Sequence, residues 1–273
     1  MAKKYDLVVV GGGTSGLEAA KTAAENGLKV ALLERKTHPA QVYRACAQMF
    51  LMNMDSFYNE RMYFSKEQQK WIFPVNNFSV TYKGGYREFY ATHFIAPNAE
   101  DRIEIGDYEK NASGAGTAAV VFDKEALLSG LYEEGQKAGV EYYLERNVVD
   151  ARKTADGVEV RTSSGEKLVG TFCIAADGIN SRLARKLGLN KERVFLFTSG
   201  STSYYITGVK FDRSEMICMV MLLTMRGNLA RCISACCPAF TGMMSTGFMS
   251  QAMKSLNFSP AKAISANGLT RLK

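Results

Sequence analysis

The sequence predicts an α/β protein in which a Rossmann-like βαβ unit, completed by a β-meander, carries an inserted and incomplete β-rich region. Three observations support this prediction. A short apolar strand at residues 5–10 leads into a glycine turn, a helix and a second strand that ends at Glu34. Residues 71–105 alternate apolar and polar side chains, as strands do. Strand-like segments separated by glycine turns fill residues 148–176.

The glycine turn at residues 11–16, GGGTSG, has the spacing of a dinucleotide-binding fingerprint. Gly11 allows the tight turn, Gly13 lets the backbone approach a pyrophosphate, and Gly16 lets the helix pack closely on the strand. The start of the helix then offers free N–H groups and the positive end of its dipole to the phosphates.

The residues around the glycine turn complete the fingerprint. Glu34 lies eighteen residues after Gly16, where a carboxylate can accept hydrogen bonds from ribose hydroxyls. Thr14 and Ser15 at the helix start, and Arg35 directly after the acid, are the remaining candidate cofactor contacts. This stretch predicts a dinucleotide site, but it leaves NAD and FAD both open.

Composition excludes several classes of protein. Of the 273 residues, 47% are hydrophobic and 22% charged, which is typical of a globular protein with a substantial core. We find no secretory signal, and no apolar run approaches the roughly 20 residues that cross a bilayer. Six cysteines without such a signal indicate a reducing compartment, so the sequence predicts a cytoplasmic protein.

The net charge of +7 does not predict nucleic-acid binding, because the excess is concentrated at one end. Six of the 34 basic residues follow Glu215 and no acidic residue does, which leaves 28 basic against 27 acidic residues before that point. The body of the chain has no basic stripe interleaved with aromatic residues. His38 and His93 have no partners at metal-ligand spacing, so no metal site is predicted.

Local signals assign the elements of the middle of the chain. Residues 40–62, which are rich in methionine, are predicted to be helical in part. The Gly84-Gly85 pair between two alternating runs predicts a hairpin turn, and residues 107–117 have the composition of a loop. Asp123 can cap a helix that ends at Gly139.

The following segments are predicted to be mainly β. Residues 140–145 form a strand, and a meander follows with turns at Asp156-Gly157 and Ser164-Gly165. A helix is predicted at residues 180–187 and a further strand at residues 203–211.

Residues 175–185, AADGINSRLAR, form a second candidate motif where an apolar strand meets a helix. Asp177 can accept hydrogen bonds from a polyol and Gly178 lets a ligand come close, while Ser181 belongs to this motif or simply caps the helix. Read with the N-terminal fingerprint, the segment resembles the FAD-binding fold of the aromatic-hydroxylase and geranylgeranyl-reductase flavoproteins. Arg185 lies one position later than in the aromatic hydroxylases, so the resemblance favours the geranylgeranyl reductase family.

The resemblance implies an FAD enzyme that reduces isolated double bonds in polyprenyl lipids, with an external donor such as NAD(P)H or a ferredoxin-like protein. It implies that Glu34 binds the adenosine ribose and that Asp177 and Gly178 contact the flavin ribityl region. Arg44 and Cys46 resemble a segment in which a cysteine approaches the flavin, and inert packing is the alternative role for Cys46. A prenyl-lipid substrate also implies peripheral contact with a membrane.

The same resemblance divides the chain into domains. The FAD-binding domain covers 1–70 and 107–190, a partial substrate-domain sheet covers 71–106 and 191–215, and an atypical tail covers 216–273. The tail holds eight of the thirteen methionines and four of the six cysteines, has neither strand alternation nor helix period for long, and lacks the family's second flavin-phosphate segment. Our preferred hypothesis for this composition is a frameshift in the gene that has replaced the true C-terminal portion. A Met/Cys-rich docking tail and a zinc site are the less favoured explanations. An FAD-dependent aromatic monooxygenase and a non-catalytic FAD-binding remnant remain as alternative functions.

Overall fold

A computed structural model describes residues 4–43, 48–52, 60–95, 100–189, 191–194, 198–206, 216–220, 229–236, 239–240, 243–244 and 246–254. The strands are β1 (Lys4–Val10), β2 (Val30–Leu33), β3 (Met49–Leu51), β4 (Tyr63–Ser65), β5 (Lys70–Phe73), β6 (Phe78–Thr81), β7 (Tyr86–Phe89), β8 (Ala91–Ile95), β9 (Arg102–Ile105), β10 (Ala119–Phe122), β11 (Glu141–Tyr143), β12 (Val148–Thr154), β13 (Gly157–Thr162), β14 (Lys167–Ala175), β15 (Thr198–Ile206), β16 (Met216–Val220), β17 (Leu229–Cys236), β18 (Ala239–Phe240), β19 (Met243–Met244) and β20 (Thr246–Lys254). The helices are α1 (Thr14–Glu25), α2 (Tyr108–Lys110), α3 (Lys124–Lys137) and α4 (Arg182–Lys186), and a π-helical turn covers Asn111–Ala115.

The first of two compact units contains Met1–Tyr43, Met62–Gly84 and Asp123–Val194. Its main sheet has the order β11-β2-β1-β14-β13-β12, in which β11, β2, β1 and β14 run parallel and the meander strands β13 and β12 run antiparallel. The predicted α/β fold, a βαβ unit with a β-meander, is therefore confirmed, as are the two predicted meander turns.

Buried apolar side chains hold the main sheet together. One core cluster lies between the parallel strands, the meander and α4, and it contains Tyr5, Val8, Val10, Ala31, Leu33, Val148, Ala151, Val160, Leu168 and Leu183. Helix α1 buries Leu17, Ala20 and Ala24 and packs on α3. Helix α3 begins as predicted, because the Asp123 carboxylate accepts hydrogen bonds from the backbone N–H groups of Glu125 and Ala126.

A buried ionic network joins the small β4-β5-β6 sheet to the two helices. The Lys21 ammonium donates to the Ser79 carbonyl at 2.8 Å and lies 3.2 Å from Glu18 and 3.4 Å from Glu134. Burial alone would raise the pKa of Glu134, but the Thr81 hydroxyl, Lys21 and Lys70 together hold it below its ordinary range. These ion pairs and hydrogen bonds take the place of the water that the charged groups lose on burial, because a buried charge without a partner would be costly.

The second unit contains Arg44–Arg61, Gly85–Phe122 and Phe195–Lys273. It has a three-stranded sheet of order β3-β10-β7 and a six-stranded sheet of order β15-β20-β17-β16-β8-β9. Strands β16, β17 and β20 belong to the methionine-rich tail, and β16 pairs with β8 in parallel. The domain limits given in the sequence analysis stay a prediction. They were drawn from the family resemblance, whereas the two units are defined by contacts within the chain.

Several predicted elements differ from the structure. The Gly84-Gly85 hairpin is wrong, because β6 pairs with β5 while β7 pairs with β10 in a different sheet. The described part of residues 40–62 holds strand β3 and no helix, and residues 107–117 contain α2 and the π-helical turn instead of a plain loop. The predicted helix at residues 180–187 is confirmed as α4. The strand predicted at residues 203–211 begins earlier, at Thr198, and residues 207–211 lie outside the described residues.

Candidate cofactor site

The carboxyl ends of three neighbouring parallel strands bring the sequence motifs together. In the central register, Val10 of β1 lies between Leu33 of β2 and Ala175 of β14. The next residues along these strands lead into the glycine turn, Glu34 and Asp177. This edge of a parallel sheet is where α/β folds bind nucleotides, so the geometry agrees with the predicted location.

Gly11 and Gly16 are required by close backbone packing. Gly11 has a φ of +108°, and its N–H donates to the Leu33 carbonyl at 2.8 Å. A side chain at Gly11 would collide with the Ala176 carbonyl, and one at Gly16 would collide with the Gly11 carbonyl. These two glycines therefore seat the start of α1 against the ends of β1 and β14.

Gly13 faces open space. A β-carbon built there would meet no atom of the described residues within 4 Å, and the residue is the N-cap of α1 with extended backbone. In the part of the chain that the structure describes, no side chain caps the helix, and its first turn holds no acidic residue while Thr14 and Ser15 are exposed. The helix start therefore presents its N–H groups and partial positive charge to a ligand.

Glu34 is held rigidly beside the turn by two backbone N–H groups. The carboxylate is 6% exposed, accepts from Gly12 N at 2.5 Å through Oε2, and accepts from Lys36 N at 2.9 Å through Oε1. An ionised carboxylate has about four acceptor positions, so capacity remains for ribose hydroxyls. Arg35 is exposed next to it.

The role of Gly12 was not predicted from the sequence. A β-carbon there would lie 3.0 Å from Glu34 Oε2, so glycine at this middle position lets the acid approach the turn. The run of three glycines is the signal that could have shown this.

Asp177 carries a buried oxygen with an unused acceptor position. Its Oδ2 accepts from Arg182 N at 2.9 Å, which anchors the start of α4, while its buried Oδ1 has no hydrogen-bond partner in the described part of the chain. Buried carboxylate oxygens are normally hydrogen-bonded, so Oδ1 is suited to accept a hydrogen bond from a hydroxyl group of a ligand. Gly178 follows with a φ of +89° and is exposed.

Two other side chains near this motif have structural roles. The Ser181 hydroxyl accepts from Ala184 N at 2.9 Å, so Ser181 caps α4. Cys173, which the sequence did not single out, is partly buried on β14. Burial and the Asp177 charge raise the pKa of its thiol to about 11, so the thiol stays protonated near neutral pH.

The remaining sequence candidates lie elsewhere or outside the described residues. Arg44 and Cys46 fall in residues 44–47, which the structure does not describe. The His38 ring packs edge-on against Tyr132, with 4.9 Å between ring centroids, and His93 lies 2.6 Å from Glu104. Over the residues described, no group of three or more His, Cys, Asp or Glu side chains is placed to hold a metal ion.

The donor and acceptor set fits the parts of FAD. The open helix start at Gly13 suits a pyrophosphate, the held carboxylate of Glu34 suits ribose hydroxyls, and the free Oδ1 of Asp177 suits a polyol. Contacts between these residues and the cofactor stay a prediction.

Comparison with known proteins supports an FAD-dependent oxidoreductase. The model of a family described as FAD dependent oxidoreductase matches residues 6–176, which include the glycine turn, Glu34 and the whole meander. Digeranylgeranylglycerophospholipid reductase 2 of Methanosphaera stadtmanae is 24% identical over 217 residues, which cover 78% of this chain and 49% of that protein. The chain thus spans about half the length of this relative.

Two solved structures share the fold. A geranylgeranyl bacteriochlorophyll reductase-like protein of Thermoplasma acidophilum is 19% identical with a TM-score of 0.64, over 90% of this chain and 56% of that one. The halogenase PltM, solved in complex with FAD, is 14% identical with a TM-score of 0.62, over 96% of this chain and 54% of that one. At these identities the likeness concerns the fold alone.

Proposed function

The chain belongs to the FAD dependent oxidoreductase family, and on that premise we propose that it reduces carbon–carbon double bonds in polyprenyl lipids of the geranylgeranyl type. The observation that carries the cofactor assignment is the buried Oδ1 of Asp177, which has no partner in the described residues, beside an uncapped helix start. The substrate class is supported by the similarity to the digeranylgeranylglycerophospholipid reductase 2 of Methanosphaera stadtmanae and by the spacing of the Asp177–Arg185 motif.

Each part of the site would contribute to binding or orientation. The glycine turn would hold the pyrophosphate on the N–H groups of α1, Glu34 would orient the ribose, and Asp177 would fix the polyol. When bound, FAD supplies hydride transfer between the electron donor and the alkene. Fixed contacts at three points hold a cofactor in one orientation, which hydride transfer requires.

Two further assignments belong to this proposal. Arg44 and Cys46 would lie in the flavin-facing segment that the sequence resembles. The enzyme would be cytoplasmic and in peripheral contact with a membrane, with NAD(P)H or a ferredoxin-like protein as donor. For the described residues, no helix is long and apolar enough to span a membrane.

The test is reduction of a defined lipid. The full chain, loaded with FAD and reduced chemically with dithionite, is incubated with digeranylgeranylglycerophospholipid in detergent, and the product is analysed by mass spectrometry. We expect a gain of two hydrogen atoms for each double bond reduced. An unchanged lipid, with flavin bound and reduced, would refute the proposed substrate class. Oxidation of NADPH stimulated by an aromatic compound, with a hydroxylated product, would identify the alternative monooxygenase.

A further inference from the structure

The chain directly after the candidate site combines basic and apolar residues. Residues 179–194 contain five basic side chains and one acid, Glu192. We call its exposed basic and apolar residues the basic–apolar surface: Ile179, Arg182, Arg185, Lys186, Leu187, Leu189, Lys191, Arg193 and Val194. Exposed apolar side chains are normally scattered singly over the surface of a globular domain, so several of them in one short segment indicate a binding surface.

The apolar members of this surface are accessible. Leu189 is 71% exposed and Val194 is 75% exposed, and Ile179 and Leu187 are also exposed. Every basic member is exposed as well. Leu183, which is fully buried in the core cluster, anchors the segment to the unit. The exposed leucines therefore are not needed for the packing that the described residues make.

One backbone and one side-chain hydrogen bond fold this segment back on itself. Leu189 N donates to the Ala184 carbonyl at 2.9 Å, which turns the chain back after α4. The Arg193 guanidinium donates to the Ile179 carbonyl at 3.4 Å, so the end of the segment returns to its beginning. The basic and apolar side chains are therefore carried by one short segment whose two ends meet.

Few acids neutralise the patch. Lys186 lies 3.3 Å from Asp150, which also pairs with Arg161 at 3.2 Å. Within the part of the chain that the structure describes, Arg182, Arg185 and Lys191 form no ion pair. The surface keeps a net positive charge even with Glu192 included.

We propose that the basic–apolar surface docks the enzyme on an anionic lipid bilayer. Charge complementarity favours this occupant, because headgroups supply the negative charge and the acyl boundary accepts the exposed leucine, isoleucine and valine side chains. A nucleic acid would satisfy only the basic residues. This role rests on the proposed function, since a reductase of membrane lipids must reach a bilayer.

The position of the surface suits that role. Asp177 Oδ2 accepts a hydrogen bond from Arg182 N at 2.9 Å, so a basic residue of this surface is tied to the residue predicted to hold the polyol of the cofactor. Docking there would bring the membrane to the same edge of the first unit as the candidate site.

The experiment measures co-sedimentation of the FAD-loaded full chain with vesicles. One set is phosphatidylcholine alone, and the other is phosphatidylcholine mixed equally with phosphatidylglycerol. The test variant carries Leu189→Ser, Val194→Ser, Lys191→Gln and Arg193→Gln. The matched control carries the same chemical changes at exposed positions elsewhere, Leu28→Ser, Val75→Ser, Lys66→Gln and Arg61→Gln. Thermal unfolding and FAD titration establish that both variants fold.

We expect wild type and control to bind the mixed vesicles, with binding weakened by salt. The test variant should bind at least about thirtyfold more weakly, because each basic side chain near an anionic surface contributes roughly fivefold. Equal binding by test and control variants would overturn the inference. The inference would also be overturned if wild type bound an RNA homopolymer but no vesicles, and the test variant lost that RNA binding. It would equally be overturned if wild type self-associated and the test variant did not. If the protein reduces detergent-solubilised lipid but does not bind vesicles, the docking inference is refuted and the proposed function stands. If it binds vesicles but does not reduce the lipid, the proposed substrate is refuted and the docking inference stands.

Discussion

Replacing Gly13 with alanine should separate cofactor binding from folding. The new methyl group would meet no atom of the described residues within 4 Å, and the φ of −83° is accessible to alanine. Reduced entropy of the unfolded chain would stabilise the variant by about 0.4–1 kcal/mol. Alanine is less favourable than glycine at an N-cap by roughly 0.5–1 kcal/mol, which offsets this gain. We therefore expect the free energy of unfolding of the cofactor-free protein to change by less than about 0.5 kcal/mol.

The same methyl group would occupy the space through which a pyrophosphate approaches the N–H groups of α1. A hydrogen bond to a charged group contributes about 1.5–3 kcal/mol, so loss of one contact weakens FAD binding by about tenfold to a hundredfold. The assay is titration of FAD fluorescence, with thermal unfolding of the cofactor-free variant measured in parallel.

Gly16→Ala is the contrasting variant. Its methyl group would collide with the Gly11 carbonyl, and backbone on both sides would have to move. Overpacking of this kind costs about 1–3 kcal/mol, so the cofactor-free protein itself should be destabilised. If Gly13→Ala binds FAD as tightly as wild type, or loses as much stability as Gly16→Ala, the assignment of the glycine turn is wrong.

Three other changes test separate parts of the structure. Asp177→Asn should lower FAD affinity by about tenfold or more, because an amide oxygen is a weaker acceptor for the polyol hydroxyls than a carboxylate. The control is Asp123→Asn, the same change at the cap of α3, which should leave FAD affinity unchanged in the same titration. Gly130→Ala should destabilise the chain by about 1–3 kcal/mol in thermal unfolding, because its methyl group would collide with a carbonyl of β6; unchanged stability would contradict the packing of α3. The lowered pKa of Glu134 adds stability that is present above the ordinary pKa of a glutamate and is lost as pH falls through the folded value. Glu134→Gln should therefore flatten the acid limb of the stability–pH curve, and an unaltered limb would exclude this contribution.

The parts of the fold that the sequence predicted depend on local signals. The glycine turn, the Asp123 cap and the two meander turns each use residue types whose backbone or side-chain chemistry is specific to one conformation. The structure agrees at all of these places. Helix α2 also has such a signal, because the Asp107 side chain accepts from Lys110 N at its start, although the composition of residues 107–117 favours a loop.

The parts that the sequence did not predict depend on distant partners. The pairing of β6 with β5 and of β7 with β10 is decided by contacts that the Gly84-Gly85 pair does not encode. Met49–Leu51 resembles a helical run, and becomes a strand because β10 lies alongside it. The hydrogen bond from Gly12 to Glu34 likewise joins residues 22 apart in the chain.

The central claim is that this chain binds FAD at the ends of β1, β2 and β14. The most direct measurement is the visible absorption spectrum of the full chain after incubation with FAD and removal of free cofactor by gel filtration. We predict flavin absorbance that elutes with wild-type protein and is strongly reduced for Asp177→Asn and Gly13→Ala. Elution of all flavin in the small-molecule fraction from folded wild type would contradict the claim.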